Sequence, residues 1–326
     1  VCIDEWPDMK VLVTGATGFV GKRLVQRLRT DAAWQVQEAR RRAPEVDTAG
    51  VYACGDLGPA TDWSAALAGV EVVVHCAARV HVMNEREADP LQAFRHVNVA
   101  GTLNLARQAV AAGVRRFVFV SSIKVNGEST EPGHPFTPDD VPAPGDPYGV
   151  SKHEAETALQ ALARETGLEV VIVRPVLVYG PGVKANFRAM MTWLDRGIPL
   201  PLGAIDNRRS LVALDNLVDL LVACMSHPAA AGQVFLAADG EDLSTTALLQ
   251  RLSLALGRKA RLLPVPAAWL HWGSRLLGRP AIAQRLCGSL QVDASKATVL
   301  LGWHAPWSVD EALRLTAKDF LENRAS

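Results

Sequence analysis

The chain has 326 residues, 49% apolar and 21% charged, enough for one large or two modest globular domains with a sizeable core. Thirty-four Lys and Arg balance thirty-four Asp and Glu, which excludes a whole-chain field for nucleic acid or an anionic membrane and leaves any anionic ligand to be held locally. The five cysteines (Cys2, Cys54, Cys76, Cys224, Cys287) are widely spaced with no Cys-x-x-Cys, which argues against a disulfide frame or a metal site and fits reduced thiols in a cytoplasm.

Val1–Asp8 is acidic and reads as extra sequence before a start at Met9, not as a signal peptide. Val11-Leu12-Val13 reads as a strand running into Thr14-Gly15-Ala16-Thr17-Gly18-Phe19-Val20-Gly21, with the amphipathic segment Lys22–Arg29 behind it. Strand, glycine loop and helix in that order suit a dinucleotide, because the glycines allow a tight turn, close approach to a pyrophosphate and close helix packing. A structural turn is the alternative. A second strand, Trp34–Ala39, ends at Arg40-Arg41-Arg42. An acidic residue about 20 residues after the glycines holds the ribose of NAD, whereas arginine accommodates the 2′-phosphate of NADP. Glu38 need not face the ribose by strand alternation, so Arg40 and Arg41 favour NADP(H) over NAD(H), unless they are a solvated loop.

Val51–Cys54 reads as a third strand, followed by Gly55-Asp56-Leu57, where Asp56 is either an adenine contact or a turn residue. Val70–His75 reads as a fourth strand, its run Val72-Val73-Val74 apolar as a doubly covered parallel strand should be. It leads into Cys76-Ala77-Ala78, small enough for a cofactor to pass closely. Pro90–Ala112 is expected to be one long helix carrying Asn98. Arg116–Val120 is a fifth strand ending in Ser121-Ser122, and Glu169–Val173 a sixth ending in Arg174-Pro175. Strands alternating with helices predict an α/β, Rossmann-type doubly wound parallel sheet. No apolar run reaches about 18 residues, so no membrane span is expected. Leu262–Leu277 reads as a packed or interface helix, and Trp269, His81 and His271 as packing or substrate-loop residues.

Between the fifth and sixth strands lies Tyr148-Gly-Val-Ser-Lys152, with Pro147 suited to a first helical turn and a helical pattern running on through Leu162. Residues four apart share a helix face. A free phenol has a pKa of about 10, and a neighbouring ammonium is expected to move it toward the working range. In open sheets of this kind ligands bind off the carboxyl ends of the strands, which places Ser122 beside Tyr148.

With these residues the chain resembles an extended short-chain dehydrogenase/reductase of the nucleotide-sugar epimerase, dehydratase and reductase branch, of the type associated with bacterial surface-polysaccharide synthesis. The match is carried by Thr14–Gly21, Gly55–Leu57, His75–Ala78, Asn98–Thr102, Ser121–Gly127, Tyr148–Lys152 and Arg174-Pro175. It continues at Tyr179–Pro181, Arg209–Val212, Asp215–Val218 and Leu301–Trp303. The resemblance implies Tyr148 as acid-base residue, Lys152 on the nicotinamide ribose and Ser122 on the reacting oxygen, with Ser121 as the rival for that role. It also implies cofactor contacts from Gly15, Thr17, Gly18, Phe19, Val20, Gly21, Arg40, Arg41, Asp56, Leu57, Ala77, Ala78, Asn98 and Pro175. Substrate contacts implied beyond Ser122 are Asn186, Phe187, Arg209 and Arg285, with Arg208 as a substitute for Arg209 and a surface salt bridge as the alternative for both.

Two departures narrow the chemistry. Ile123 and Lys124 stand where the branch's dehydratases carry Asp-Glu, and Asn126 stands where the family has tyrosine. The expected activity is therefore hydride transfer at C4 of a UDP-hexose, by a 4-epimerase or a 4-keto-6-deoxy-sugar reductase. A non-catalytic nucleotide sensor and a reductase of a non-nucleotide ketone are the rivals. Residues 9–175 and 211–238 should form the cofactor domain, and 176–210 and 239–326 a smaller substrate lobe; a homodimer is expected from the family.

Overall fold

The computed structural model describes residues 9–43, 48–80, 89–131, 133–276, 278 and 280–324. His81 and the Val1–Asp8 segment lie outside them. The first half runs β1 (Met9–Thr14), α1 (Phe19–Leu28), β2 (Trp34–Arg40), β3 (Val51–Ala53), α2 (Ser64–Leu67), β4 (Val72–His75), α3 (Pro90–Phe94), α4 (Thr102–Ala111), β5 (Arg116–Val120), α5 (Pro147–Thr166) and β6 (Glu169–Pro175). The second half runs β7 (Leu177–Tyr179), α6 (Ala185–Asp195), β8 (Arg209–Ala213), α7 (Leu214–Ser226), β9 (Val234–Ala237), β10 (Asp242–Leu243), α8 (Thr245–Ala255), α9 (Ala267–Leu276), α10 (Pro280–Cys287), α11 (Ser295–Leu301) and α12 (Val309–Glu322).

Seven parallel strands form one sheet in the order β3-β2-β1-β4-β5-β6-β9, and β10-β8-β7 form a second, small sheet. The reversal of strand order between β1 and β4 is the switch point at which a doubly wound sheet opens a crevice. Alternation along the central strands splits the core in two. Val11, Val13, Val72, Val74, Val171 and Val173 pack with α1 and α7 on one face. Leu12, Val73, Phe117, Phe119, Val170 and Ile172 pack with α4 and α5 on the other. Arg116, fully buried at the start of β5, gives one guanidinium nitrogen to the carbonyls of Cys224, Met225 and His227 and so caps the end of α7.

Three expectations need correction. The single helix over Pro90–Ala112 is interrupted by a π-helical stretch, Arg95–Gly101. A β-carbon on Gly101 would lie 3.2 Å from the Gly58 nitrogen, so the widened turn coincides with a close backbone approach that periodicity does not register. Of the two readings of Trp269, packing falls, since the ring is 73% exposed on α9. Within the expected lobe, α11 packs instead on the sheet, its Ala297 and Leu301 joining the core beside β9. The rest of the lobe has its own core, in which Tyr179, Phe187 and Met191 meet Leu248, Leu252, Leu313 and Phe320.

Candidate functional site

The crevice begins at the glycine loop. Gly15 has φ +65°, a left-handed conformation that favours glycine, and a β-carbon there would sit 2.8 Å from the Ala77 nitrogen. Gly21, inside the first turn of α1, passes so close that its β-carbon would fall 2.3 Å from the Gly15 carbonyl oxygen. The N–H groups of Phe19, Val20 and Gly21 are left at the crevice end of α1 with its positive dipole. A cleft of about 1720 Å³, ample for a dinucleotide, is lined by Thr17, Gly18, Arg40, Asp56, Ala77 and Ala78 among others. The missing side chains of the glycines and the short ones of Ala77 and Ala78 thus fit a pyrophosphate drawn close to the backbone.

Behind the loop His75 is fully buried, Nδ1 against the Thr14 hydroxyl at 2.7 Å and Nε2 against that of Thr102 at 2.9 Å. Burial, with Lys152 nearby, pushes the imidazole down to about 3, so it is a neutral strut. Thr14 Oγ1 in turn accepts from the Ala77 backbone N–H at 3.2 Å.

At the adenosine end the arginines are engaged. Arg40 directs both Nε (2.9 Å) and a terminal nitrogen (2.8 Å) at one oxygen of Glu38. Glu38, buried, also pairs with Arg29 at 2.6 Å, while Arg41 pairs with Asp56 at 3.0 Å, both largely exposed.

Tyr148 and Lys152 lie at the start of α5, whose N-cap Asp146 accepts from the Gly149 N–H at 2.7 Å. Ser122 lies near enough to the Tyr148 phenol to favour its ionised form, whereas the Ser121 hydroxyl donates to Glu156 at 2.5 Å on the far side. The expected downward shift of the phenol is not found. Burial, reinforced by the Asp146 carboxylate, pushes Tyr148 up to about 12, and only the nearby Ser122 hydroxyl opposes it. Lys152 is buried, donates to the Val120 carbonyl at 2.8 Å and lies 4.3 Å over the Phe119 ring. Desolvation pushes it down to about 8 against the favourable charge of Glu156.

Asn98 secures this helix from the π-helical stretch. Its amide spans the Arg79 backbone (2.8 and 3.0 Å) and donates to Ser151 at 3.0 Å, and Ser151 donates to the Tyr148 carbonyl at 2.8 Å. Pro175, at the end of β6, is buried beside Ala237.

Sequence reasoning missed Glu156. It receives Ser121 and the fork of Arg174, whose terminal nitrogen is 2.6 Å away, and Arg174 also reaches Asn126 Oδ1 at 2.9 Å. Asn126, where the family has tyrosine, is buried and donates to the Thr137 carbonyl at 2.8 Å. The available signal was a carboxylate one helical turn after Lys152, on the same inward face. Lys124, in the position of a dehydratase glutamate, pairs with Asp146 and with Glu128.

In the lobe, Arg209 on β8 donates to the carbonyls of Arg285 and Gly288, each at 3.1 Å, and burial pulls its guanidinium down from the ordinary arginine range. Arg285 is exposed on α10, so two of the predicted phosphate ligands stand together; Arg208 points out to solvent. Asn186 is exposed in the first turn of α6. The Phe187 ring is not available to a ligand, being buried and stacked on Tyr179 at 5.6 Å.

Against known proteins, residues 11–238 match the NAD dependent epimerase/dehydratase family. A UDP-glucose 4-epimerase of Vibrio cholerae is 50% identical over 320 residues, 98% of each chain. An N-acetyl-α-D-glucosaminyl-diphospho-ditrans,octacis-undecaprenol 4-epimerase of Escherichia coli O157:H7 is 26% identical, covering 94% of this chain and 93% of its own. In fold, a UDP-glucuronic acid 4-epimerase of Bacillus cereus in complex with NAD superposes with a TM-score of 0.77 at 22% identity, over 96% of this chain and 97% of that one. The glycine-loop crevice, the α5 pair and a match over more than half its length make this chain a member of the NAD-dependent epimerase/dehydratase family.

Proposed function

We propose that this chain is an NAD-dependent 4-epimerase of a UDP-hexose, serving the supply of sugars for surface polysaccharide. The observation that carries the reading is Tyr148 at the start of α5 with buried Lys152 one turn along and Ser122 nearby. In this reading NAD lies on the glycine loop and, when bound, takes the C4 hydride and returns it to the opposite face. Tyr148 takes the O4 proton as the hydride leaves and restores it on return, so protons and electrons balance over the cycle. Ser122 donates to O4 and fixes it against the phenol. The Lys152 ammonium is the counter-charge for a transient phenolate. Arg209, with Arg285 beside it, holds the diphosphate. The sheet unit, 9–175 and 211–238, carries the cofactor and the lobe the sugar nucleotide, in a dimer paired through α5.

NAD is favoured over NADP because Arg40 is already committed to Glu38, and with it the case for an exchanging reductant weakens. The test is to incubate purified protein with UDP-glucose or UDP-N-acetylglucosamine without added cofactor, and to identify what nucleotide denaturation releases. C4 epimers with retained NAD⁺ support the reading; turnover only with stoichiometric NADPH would replace it by the ketoreductase. A second reading keeps the chemistry and changes the carrier. One relative is named for a hexosamine on diphospho-undecaprenol, and here α9, packed against the helix of Arg285, turns two tryptophans outward.

A further inference from the structure

Trp269, Trp272 and Leu276 on α9 are 73%, 68% and 68% exposed. Their spacing places them on one face of the helix, while Ala267 and Leu270 pack inward on the lobe core. The helix is thus apolar on its outer face as well as its inner one, and nearby Leu263 is also exposed. Contiguous exposed aromatic surface of this kind marks an interaction site.

The charge of the sequence around it is one-sided. Between Leu243 and Val292 the sequence has no Asp or Glu and seven Lys or Arg, although the whole chain is balanced. Arg251 and Arg258 are neutralised by Glu241 and Asp195. Lys259, Arg261, Arg275 and Arg285 are exposed, and no ion pair to them is found among the described residues. A second copy docked by two-fold symmetry would set this basic patch against itself, an unfavourable arrangement. Tryptophan at headgroup depth, flanked by cations, matches the surface of an anionic bilayer. At 10 residues α9 is roughly 15 Å long, half of a hydrocarbon core, so it lies along the surface and does not cross.

We infer that α9 is a membrane-surface anchor that inserts Trp269, Trp272 and Leu276 into the interface of an anionic phospholipid bilayer while Lys259, Arg261 and Arg275 meet its phosphates. This holds whichever carrier bears the sugar. Full-length protein is sedimented with vesicles of phosphatidylglycerol and phosphatidylcholine, or of phosphatidylcholine alone, and quenching of its tryptophan fluorescence by brominated lipid is followed. Partition into the anionic vesicles is expected to be at least about tenfold stronger and to weaken with salt, with quenching lost in Trp269→Ser/Trp272→Ser. Lys259→Glu/Arg275→Glu should lose the binding as well, with melting temperature and gel-filtration volume unchanged in both variants. Equal or absent partition in the unmodified protein overturns the inference. So does a change of oligomeric state in the tryptophan variant, which would mean that a second copy covers the face. No arm uses the epimerase assay, so this inference and the proposed activity fail separately.

Discussion

Tyr148 and Lys152 are both displaced by burial, the phenol up to about 12 and the ammonium down to about 8. At neutral pH the phenol rests protonated and the lysine mostly as the ammonium, and the cation is the more easily lost as pH rises. Tyr148→Phe should cut turnover by about 10³-fold and leave the released cofactor unchanged; unaltered turnover would remove Tyr148 from the chemistry. Lys152 loses its proton as pH rises through about 8, so kcat/KM should fall on an alkaline limb there. Glu156 favours the charged lysine, and Glu156→Gln should move that limb to lower pH, whereas a purely structural Glu156 would lower the yield without moving it. His75 follows the opposite end of the scale. It is held neutral at about 3 in the folded chain, so unfolding below about pH 6.5 takes up a proton. Its contribution is complete above that pH and is lost as pH falls toward 3, by up to about 1.4 kcal/mol per unit. Urea midpoints at pH 7 and 5 should therefore differ less in His75→Gln than in the parent. At this scale the helix start that carries Tyr148 and Lys152 could be read from spacing, while the roles proposed for them and for Ser122 rest on the family resemblance. The ring of buried partners could not, since Ser121, Asn126, Glu156 and Arg174 come from separate elements and only the fold shows that they meet.

The elements of the first half could be read because strand, glycine turn and helix follow one another within a few residues. β9 was not: Val234–Ala237 is four residues long and is defined by its pairing with β6. The short β7, β8 and β10 likewise exist through one another, as short strands do when pairing and not propensity decides. The π-helical break escaped for a related reason: Gly101 alone costs a helix little enough to be read through, and its close approach to Gly58 shows only in the fold. The α1 element offers a sharp test. A methyl at position 21 has a backbone carbonyl 2.3 Å away and no flexible neighbour to displace. Gly21→Ala should cost about 1–3 kcal/mol in denaturant unfolding and abolish cofactor retention. A variant that keeps both would mean that the loop relaxes freely.

Across the whole molecule, the two sheet-face cores use residues scattered from Met9 to Leu301, and the lobe core joins Tyr179 and Phe187 to Leu313 and Phe320. Strand alternation predicted the two-faced sheet core, but not α11 packing back on the sheet. Asp239 ties the parts, accepting from the Tyr179 hydroxyl (2.9 Å), the Ala213 N–H (2.8 Å) and the Asn216 amide (2.7 Å). A chain ended after Trp307 lacks α12 and removes Leu313, Ala317 and Phe320 from the lobe. Losing even one such aromatic costs about 3–5 kcal/mol, so the truncated protein should bind a dye for exposed apolar surface and lose its cooperative melt; a sharp melt would show that the lobe core does not need this helix.

The chain passes from β6 into the lobe, back through α7 and β9, out again through β10 and α8, and returns once more with α11. Such interlacing bears on how a gene of this kind changes its substrate. A single recombination crossover in the second half joins lobe segments from two parents and mismatches a core that was selected as one. Exchange of the lobe as one block is thereby disfavoured, and on the function proposed above new specificity would come by substitutions around Arg209 and Arg285.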